Sequence, residues 1–188
     1  MKIGLFFGSF NPIHIGHLII GNVMVDQTDL DEVWYVVSPQ NPFKNPKSLL
    51  HEIDRIRMVE LSIADHFHFR ACDAEFHMPR PSYTIDTLTL LSDKHPQHDF
   101  KLIIGGDNMK HFHKWKNAEQ VLQYYGLYIY PRPGDSKEFE HENVRYVEAP
   151  LIDISATFIR KSIKNGFSVK YLLHPATEEY IMDKKFFQ

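Results

Sequence analysis

Two histidines that stand three residues apart, just after the first apolar run, indicate a binding site for an anion. The run from Lys2 to Phe7 is followed by GSFNPIHIGH, which contains His14, Gly16 and His17. Residues three apart share one face of a helix, so the two imidazoles can lie side by side, with little bulk between them. Each ring can donate a hydrogen bond to an oxygen atom. The stretch therefore predicts a site for phosphate groups.

The residues before the histidines favour the same prediction. Gly8 ends the apolar run and lets a ligand approach the backbone, and Asn11 followed by Pro12 is a suitable cap and first-turn pair for a helix. The free N–H groups at that helix terminus would then point at the loop and attract anions. The structural alternative is that a lone histidine packs and that a glycine-rich turn merely ends a strand. The combination of all these residues favours phosphate binding.

Alternating strands and helices place this turn in an α/β fold. Short apolar runs predict strands at 2–7, 32–38, 100–105, 126–130 and 144–148. Segments of helical period predict helices at 13–25, 51–65, 84–94, 117–124, 155–164 and about 171–183. The alternation predicts a single doubly wound, mainly parallel sheet with helices on both faces. In the second helix, apolar residues at spacings of three and four predict one buried face, formed by Ile53, Ile56, Val59 and Ile63.

Two loops stand where ligands bind in such sheets, outside the carboxyl ends of strands. The segment 39–48 holds three prolines, and the segment 132–142 opens with RPG and is strongly charged. Both are expected to carry side chains for a substrate. The alternative is a solvated connection, and we favour it for the second loop beyond Arg132.

The composition excludes several classes of protein. With 43% hydrophobic and 24% charged residues, the 188-residue chain is expected to fold, and its length suits one domain. A net charge of -3 offers no basic field, so nucleic acid is not an expected partner. Cys72 is the only cysteine and is expected to be a small buried apolar residue. We see no signal sequence and no apolar run near the ~20 residues that span a bilayer, and we expect a cytoplasmic protein without membrane contact.

Two motifs resemble those of the nucleotidyltransferase superfamily. GSFNPIHIGH resembles the (G)GSFDPxHxGH signature, whose HxGH pair binds the phosphates of a nucleoside triphosphate, and LIDISATFIRKSIKNG at 151–166 resembles the ISxTxIR motif. The resemblance implies a single nucleotidyltransferase domain over 1–188, in which the helical segment from about 150 completes the ATP site. It assigns catalytic roles to His14, His17 and Arg160. The ATP-binding residues that it implies are Gly8, Ser9, Phe10, His17, Gly105, Asp107, Ser155, Thr157 and Arg160.

The middle of the chain is similar to the bacterial nicotinate mononucleotide adenylyltransferases. PSYTIDTL at 81–88, LIIGGDNM at 102–109, HKW at 113–115 and RPG at 132–134 match that family's pattern in order, so the resemblance covers nearly the whole chain. It implies adenylyl transfer from ATP to nicotinate mononucleotide, which gives deamido-NAD and pyrophosphate, a step of NAD biosynthesis. The residues implied to bind the mononucleotide are Lys44, Thr84, Trp115, Lys116 and Arg132.

Two positions depart from the family's pattern. Asn11 stands where the aspartate of GSFDP is common, and NPFK at 41–44 stands where PPHK is frequent. The loss of one negative charge should not weaken anion binding, but we expect it to affect how Mg²⁺ or water is held. Phe43 replaces a polar ring with an apolar one, so the expected contact with the mononucleotide phosphate rests on Lys44.

The implied chemistry requires no general base. A phosphate monoester has its second pKa near ~6, so the attacking phosphate is already largely ionised at neutral pH. Catalysis should come from alignment and from stabilisation of charge by His14, His17, Arg160, Ser155 and the helix terminus. Mg²⁺ is expected to accompany ATP on its phosphate oxygens, with no metal site on the protein.

Three alternatives stay open. A phosphopantetheine adenylyltransferase would keep the HxGH and ISxTxIR elements but has no reason to carry PSYT and HKW. An aminoacyl-tRNA synthetase uses a HIGH sequence, but this chain is short and has neither a KMSKS-like loop nor a basic surface. A nucleotide-binding sensor without turnover would have little use for both histidines and Arg160 aimed at a leaving pyrophosphate. The sequence is compatible with a homo-oligomer but does not define one.

Overall fold

Six parallel strands lie side by side in one sheet in the computed structural model, which describes residues 1–40, 49–132 and 139–188. The strands are β1 (Lys2–Gly8), β2 (Glu32–Val37), β3 (Phe69–Cys72), β4 (Asp99–Gly105), β5 (Leu127–Tyr130) and β6 (Val144–Tyr146). Their order is β3-β2-β1-β4-β5-β6, and every neighbouring pair is parallel. The predicted parallel sheet is therefore confirmed, and its order reverses between β1 and β4.

Helices cover both faces of the sheet, as predicted. They are α1 (Ile15–Gln27), α2 (Glu52–Ile63), α3 (Thr84–Lys94), α4 (Met109–Phe112), α5 (Ala118–Tyr124), α6 (Ala156–Lys164) and α7 (Pro175–Asp183). Side chains alternate along β2, where Val33 and Tyr35 join the core beneath α1, α2, α6 and α7, whereas Trp34 and Val36 join the core beneath α3, α4 and α5. None of the helices in the described ranges is long and apolar enough to cross a membrane.

The strand β3 was not predicted, and the first and last helices were predicted to begin too early, at 13 and about 171 instead of at Ile15 and Pro175. β3 is a four-residue edge strand in which only Phe69 and Cys72 are buried, so it has no continuous apolar run. The last helix begins at Pro175, which suits a first-turn position, rather than near 171. Cys72 is buried as predicted, and burial raises the pKa of its thiol to about 11, which leaves it unreactive at neutral pH.

The predicted cap at Asn11 is wrong. The N-cap residue of α1 is His14, three residues later. The Asn11 side chain is buried and turns to another segment, where its Oδ1 accepts a hydrogen bond from the N–H of Leu50 at 3.2 Å. Asn11 therefore fixes the loop after β1 against the start of α2 instead of beginning a helix.

The predicted buried face of α2 is only partly correct. Val59 and Ile63 are buried, but Ile53 is 59% exposed and Arg55 is completely buried in its place. Hydrophobic periodicity could not anticipate this, because the Arg55 guanidinium lies among backbone carbonyls that come from loops distant in sequence.

Candidate active site

A cavity of about 790 Å³ opens beside the carboxyl ends of β1 and β4, where the strand order reverses. This is the position at which open α/β sheets bind ligands. Residues of both predicted substrate sites line it: Gly8, Ser9, Gly105, Asp107, Thr84, Trp115 and Lys116. The fold thus brings into one cavity residues that are far apart in the sequence, such as Gly8 and Lys116.

His14 and His17 lie ring on ring at the amino end of α1. Their ring centroids are 3.8 Å apart, with 28° between the planes, which confirms the predicted side-by-side arrangement. The backbone N–H of His14 donates to Nδ1 of His17 at 3.2 Å. A Cβ at Gly16 would lie 3.1 Å from His14 Nδ1 and 3.1 Å from a methyl group of Ile152. The glycine therefore leaves space for the first histidine against the 150–154 segment.

The imidazole of His14 is buried and neutral at physiological pH. Burial, with a smaller contribution from the positive charge of Arg132, lowers its pKa from 6.5 to about 4. Its Nδ1 atom has no hydrogen-bond partner among the residues that the structure describes. A neutral imidazole carries one N–H group, which can donate a hydrogen bond to an incoming anionic oxygen.

This lowered pKa predicts how stability depends on pH. The unfolded chain binds the proton near pH 6.5 and the folded chain only near pH 4, so stability falls as the pH decreases between these values. Between pH 7 and about 4.5, we expect the free energy of unfolding to fall by about 2 to 3 kcal/mol more in the unsubstituted protein than in His14→Gln. Urea unfolding at both pH values measures the difference, and equal losses in the two proteins would contradict the assignment.

The loop after β1 is shaped by the ring of Phe10. Phe10 has a φ of 42°, and its side chain is buried edge-on against Phe6, His17 and Tyr35. A Cβ at Gly8 would lie only 2.7 Å from the Phe10 ring. Gly8 thus makes room for an aromatic side chain, and Phe10 can reach a nucleotide only through its backbone.

Asp107 and Arg132 follow the adjacent strands β4 and β5, and Arg132 lines a small pocket together with His14 and His17. Arg132 Nε lies 3.9 Å from a carboxylate oxygen of Asp107, and its guanidinium lies over the ring of Tyr130 at 5.5 Å. A Cβ at Gly105 would come within 2.5 Å of that same Asp107 oxygen, which explains the glycine. Arg132, expected at the mononucleotide, therefore lies with Asp107 and close enough to His14 to lower the pKa of the histidine.

The helix α6 brings Arg160 to the loop after β1. Nη1 of Arg160 donates to the carbonyl of Asn11 at 2.8 Å, and Nη2 donates to the hydroxyl of Thr157 at 3.3 Å. Ser155 is the N-cap residue, and its Oγ accepts from the N–H of Phe158 at 3.2 Å, as the predicted cap requires. Burial lowers the pKa of Arg160 from its ordinary value, but a guanidinium remains charged.

Three of the residues expected to bind the mononucleotide, Thr84, Trp115 and Lys116, form the predicted ring pocket between α3 and the turn after α4. Thr84 is the first residue of α3, where backbone N–H groups have no helical partner, and Trp115 is partly buried against Phe112 at 5.5 Å. Lys116 Nζ donates to both carboxylate oxygens of Asp86, at 2.9 and 2.8 Å. Its charge is therefore largely paired. Lys44 and Phe43 lie outside the described residues.

Two acidic residues, one in α3 and one that contacts it, were not singled out from the sequence. Asp86 anchors Lys116, and its position two residues after Thr84 in the PSYTID stretch was a usable signal. Glu75 lines the cavity, is buried, and accepts a hydrogen bond from the hydroxyl of Thr87 at 2.8 Å. It gave no signal, because the turn that holds it follows the strand that was not predicted.

The side chains around the histidine pair suit phosphate oxygens rather than a bare metal ion. They are imidazole, guanidinium and hydroxyl groups, which can donate hydrogen bonds. In residues 1–40, 49–132 and 139–188, no group of three or more His, Cys, Asp or Glu side chains could hold a metal ion.

The fold and the phosphate-oriented groups at its switch point define a nucleotide-binding α/β protein. The cytidylyltransferase-like family model matches residues 5–162, so the chain belongs to that family. It is 62% identical to a Cytophaga hutchinsonii protein described as a "probable nicotinate-nucleotide adenylyltransferase", over 100% of this chain and 98% of the relative. A Flavobacterium johnsoniae protein of the same description is 46% identical over 100% of both chains. Within the larger family, the chain therefore belongs to the nicotinate-nucleotide adenylyltransferase family, which confirms the predicted resemblance.

A solved structure shows the same fold. The Plasmodium falciparum nicotinic acid mononucleotide adenylyltransferase complexed with NaAD superposes with a TM-score of 0.82, covering 99% of this chain and 97% of its own. The two sequences are 20% identical, so the likeness concerns the fold. It confirms the doubly wound architecture independently of sequence similarity.

Proposed function

We propose that the protein transfers the adenylyl group of ATP to nicotinate mononucleotide, forming deamido-NAD and pyrophosphate in NAD biosynthesis. One observation carries the proposal: a single cavity is lined by the loop after β1 and by Thr84 and Trp115 of the predicted ring pocket. Full-length relatives of the corresponding description support it. A cytoplasmic location stays a prediction, and the sequence is compatible with a homo-oligomer without defining one.

In the proposed reaction, a phosphate oxygen of the mononucleotide attacks the α-phosphorus of ATP. The new P–O bond forms as the bond between the α-phosphorus and the bridging oxygen breaks, and pyrophosphate leaves with that electron pair. The attacking oxygen is already ionised, so the protein needs to align the two phosphates and stabilise the charge that moves onto the leaving group.

The residues around the amino end of α1 are suited to that stabilisation. The stacked rings of His14 and His17 are held in place before any substrate binds, and donors that are fixed in advance need no reorganisation during the reaction. Arg160 adds a positive charge from α6, and Ser155 and Thr157 add hydroxyl groups beside it. Gly8, Ser9, Phe10, Gly105 and Asp107 are proposed to contact ATP. Bound to ATP, Mg²⁺ would neutralise charge on the phosphate oxygens.

The proposed mononucleotide site uses Trp115 as a stacking surface and the backbone N–H groups of Thr84 and Lys116 for the ring substituent. The pyridinium ring is a cation, so an aromatic face attracts it by dispersion and by cation–π interaction. Arg132 and Lys44 are proposed for the phosphate, although Arg132 also lies beside the groups assigned to ATP. Arg132 is therefore proposed to lie where the phosphate of the mononucleotide meets the phosphates of ATP.

Product analysis tests the proposed function directly. Incubation with ATP and nicotinate mononucleotide should yield deamido-NAD, identified by mass spectrometry, while ATP and phosphopantetheine should yield no dephospho-coenzyme A. Formation of dephospho-coenzyme A without deamido-NAD would establish a phosphopantetheine adenylyltransferase. ATP binding with neither product would establish a sensor without turnover.

Arg160→Lys should raise the KM for ATP by roughly tenfold, because an ammonium cannot replace a planar group that binds two oxygens at once. In the structure the guanidinium already holds the Asn11 carbonyl and the Thr157 hydroxyl, so a lysine would have to abandon one contact to bind phosphate. Steady-state kinetics with Lys161→Ala, an exposed charge change at the adjacent position, provides the control. An unchanged KM for ATP in Arg160→Lys would show that the ISATFIR segment is a capped helix with no role in ATP binding.

A further inference from the structure

The guanidinium of Arg55 is completely buried and holds four backbone carbonyl groups. Nε donates to the carbonyl of Leu50 at 3.0 Å, and Nη1 donates to those of Ser9 and Ser38, both at 2.7 Å. Nη2 donates to the carbonyl of Pro39 at 2.9 Å. The side chain has no exposed surface, although arginine is almost never fully buried.

These carbonyls belong to three segments, two of which line the cavity. Ser9 lies in the loop after β1, which carries the groups proposed for ATP. Ser38 and Pro39 follow β2, and Ser38 and Gln40 line the cavity from that side. Leu50 directly precedes α2. One side chain thus joins the ends of two adjacent parallel strands.

The charge of Arg55 is not matched by a bound carboxylate. Within the described ranges, no acidic side chain lies at ion-pair distance from it, and Glu52, on the same helix, is paired with Arg80 at 2.7 Å. A buried charge normally requires a partner, so carbonyl dipoles alone are a costly arrangement for stability. An apolar residue would serve packing better but would leave the loop carbonyls without donors. The arrangement is understandable if the position of those loops matters for function.

We propose that Arg55 is a positioning residue that holds the loop after β1 and the start of the loop after β2 in one fixed arrangement, so that both substrates find a preformed site. This inference rests on the proposed adenylyl transfer, since it assigns ATP to the loop after β1 and the mononucleotide to the part of the cavity that Ser38 and Gln40 line together with Thr84 and Trp115. Arg55 contacts neither substrate; it acts through the backbone of Ser9 and of Ser38–Pro39. A lysine cannot replace it, because three donors on one nitrogen atom cannot reach four carbonyls spread around a planar fork.

The test compares Arg55→Lys with two controls on the same helix. Met58→Ala removes a fully buried side chain one turn away and should cost stability through a cavity, and Arg57→Ala removes an exposed charge that pairs with Glu60. Arg55→Lys should raise the KM for ATP and the KM for nicotinate mononucleotide together, each by about tenfold or more, because small displacements of binding groups are costly. Both controls should leave both KM values within about twofold of those of the unsubstituted protein.

The outcomes separate this inference from the proposed function. If the unsubstituted protein makes no deamido-NAD, the proposed function fails before Arg55 is tested. If it makes product, the inference is overturned when Arg55→Lys leaves either KM unchanged, or when Met58→Ala, at a comparable loss of Tm, raises both KM values as much. A joint rise that is confined to Arg55→Lys supports it.

Discussion

His17→Ala should lower kcat by about a hundredfold or more, the usual loss when a fixed hydrogen-bond donor to transition-state charge is removed. The structure defines which nitrogen acts. Nδ1 of His17 accepts the backbone N–H of His14, so the neutral ring carries its proton on Nε2, where it can be donated to a phosphate oxygen. The rings of Phe6 and Phe10, at centroid distances of 5.9 and 5.1 Å, pack edge-on against this imidazole. Steady-state kinetics at saturating concentrations of both substrates measures the loss.

A second substitution separates catalysis from capping. His17→Ala also removes the acceptor for the His14 N–H, which should cost about 1 kcal/mol of stability, as the loss of a cap does. His17→Asn keeps an acceptor oxygen but cannot place a donor at the position of Nε2. We expect it to regain most of the lost stability and little of the lost kcat. Recovery of kcat in His17→Asn would show that the histidine serves only the helix terminus.

Nicotinate mononucleotide should be preferred over nicotinamide mononucleotide by at least tens of times in kcat/KM, about 2 kcal/mol or more. Stacking on Trp115 cannot produce this preference, because both rings are cations. The ring substituent must produce it: a carboxylate only accepts hydrogen bonds, and an amide would direct its NH₂ group at donors. Thr84, as the first residue of α3, presents an N–H group with no helical partner at the cavity. The ratio of the two kcat/KM values measures the preference.

Three variants locate the source of the preference. Thr84→Pro deletes the N–H at the one helical position where proline is well tolerated, and Tyr83 already has the extended conformation that precedes proline. It should reduce the ratio to a few-fold. Lys116→Ala should change the ratio by less than about threefold, because Asp86 pairs the ammonium. Trp115→Ala should weaken the binding of nicotinate mononucleotide and of nicotinamide mononucleotide to the same extent. Similar rates with both substrates in the unsubstituted protein would overturn this account of the ring pocket.

The parts of the fold that the sequence predicts are those in which local pattern and tertiary environment agree. β1, β2, β4 and β5 are continuous apolar runs buried on both faces, so their limits were predicted to within one residue. β3 is an edge strand with only its first and last residues buried. Arg55 is buried in the core, and no pattern of apolar residues could predict its burial. Its hydrogen-bond partners are carbonyl groups of loops from elsewhere in the chain.

In the candidate site, too, the features that depend on local sequence could be predicted, and those that depend on tertiary packing could not. His14 and His17 lie side by side as predicted, but His14 is the N-cap residue of α1 with an extended backbone, so the rings stack at the helix terminus and not along one helix face. The cap at Ser155 followed from the local sequence. The pairing of Lys116 with Asp86, thirty positions away, depends on how α3 packs against the turn after α4. The location of Arg132 beside Asp107 likewise depends on the adjacency of β4 and β5, which a sequence pattern does not specify.

In the proposed reaction, the two bound phosphates react directly, and the protein supplies alignment and charge. Pyrophosphate release from ATP, measured with and without nicotinate mononucleotide, tests this direct transfer. We expect release only when the mononucleotide is present, in a one-to-one ratio with deamido-NAD. Release of pyrophosphate without the mononucleotide, or none in its presence, would contradict the account.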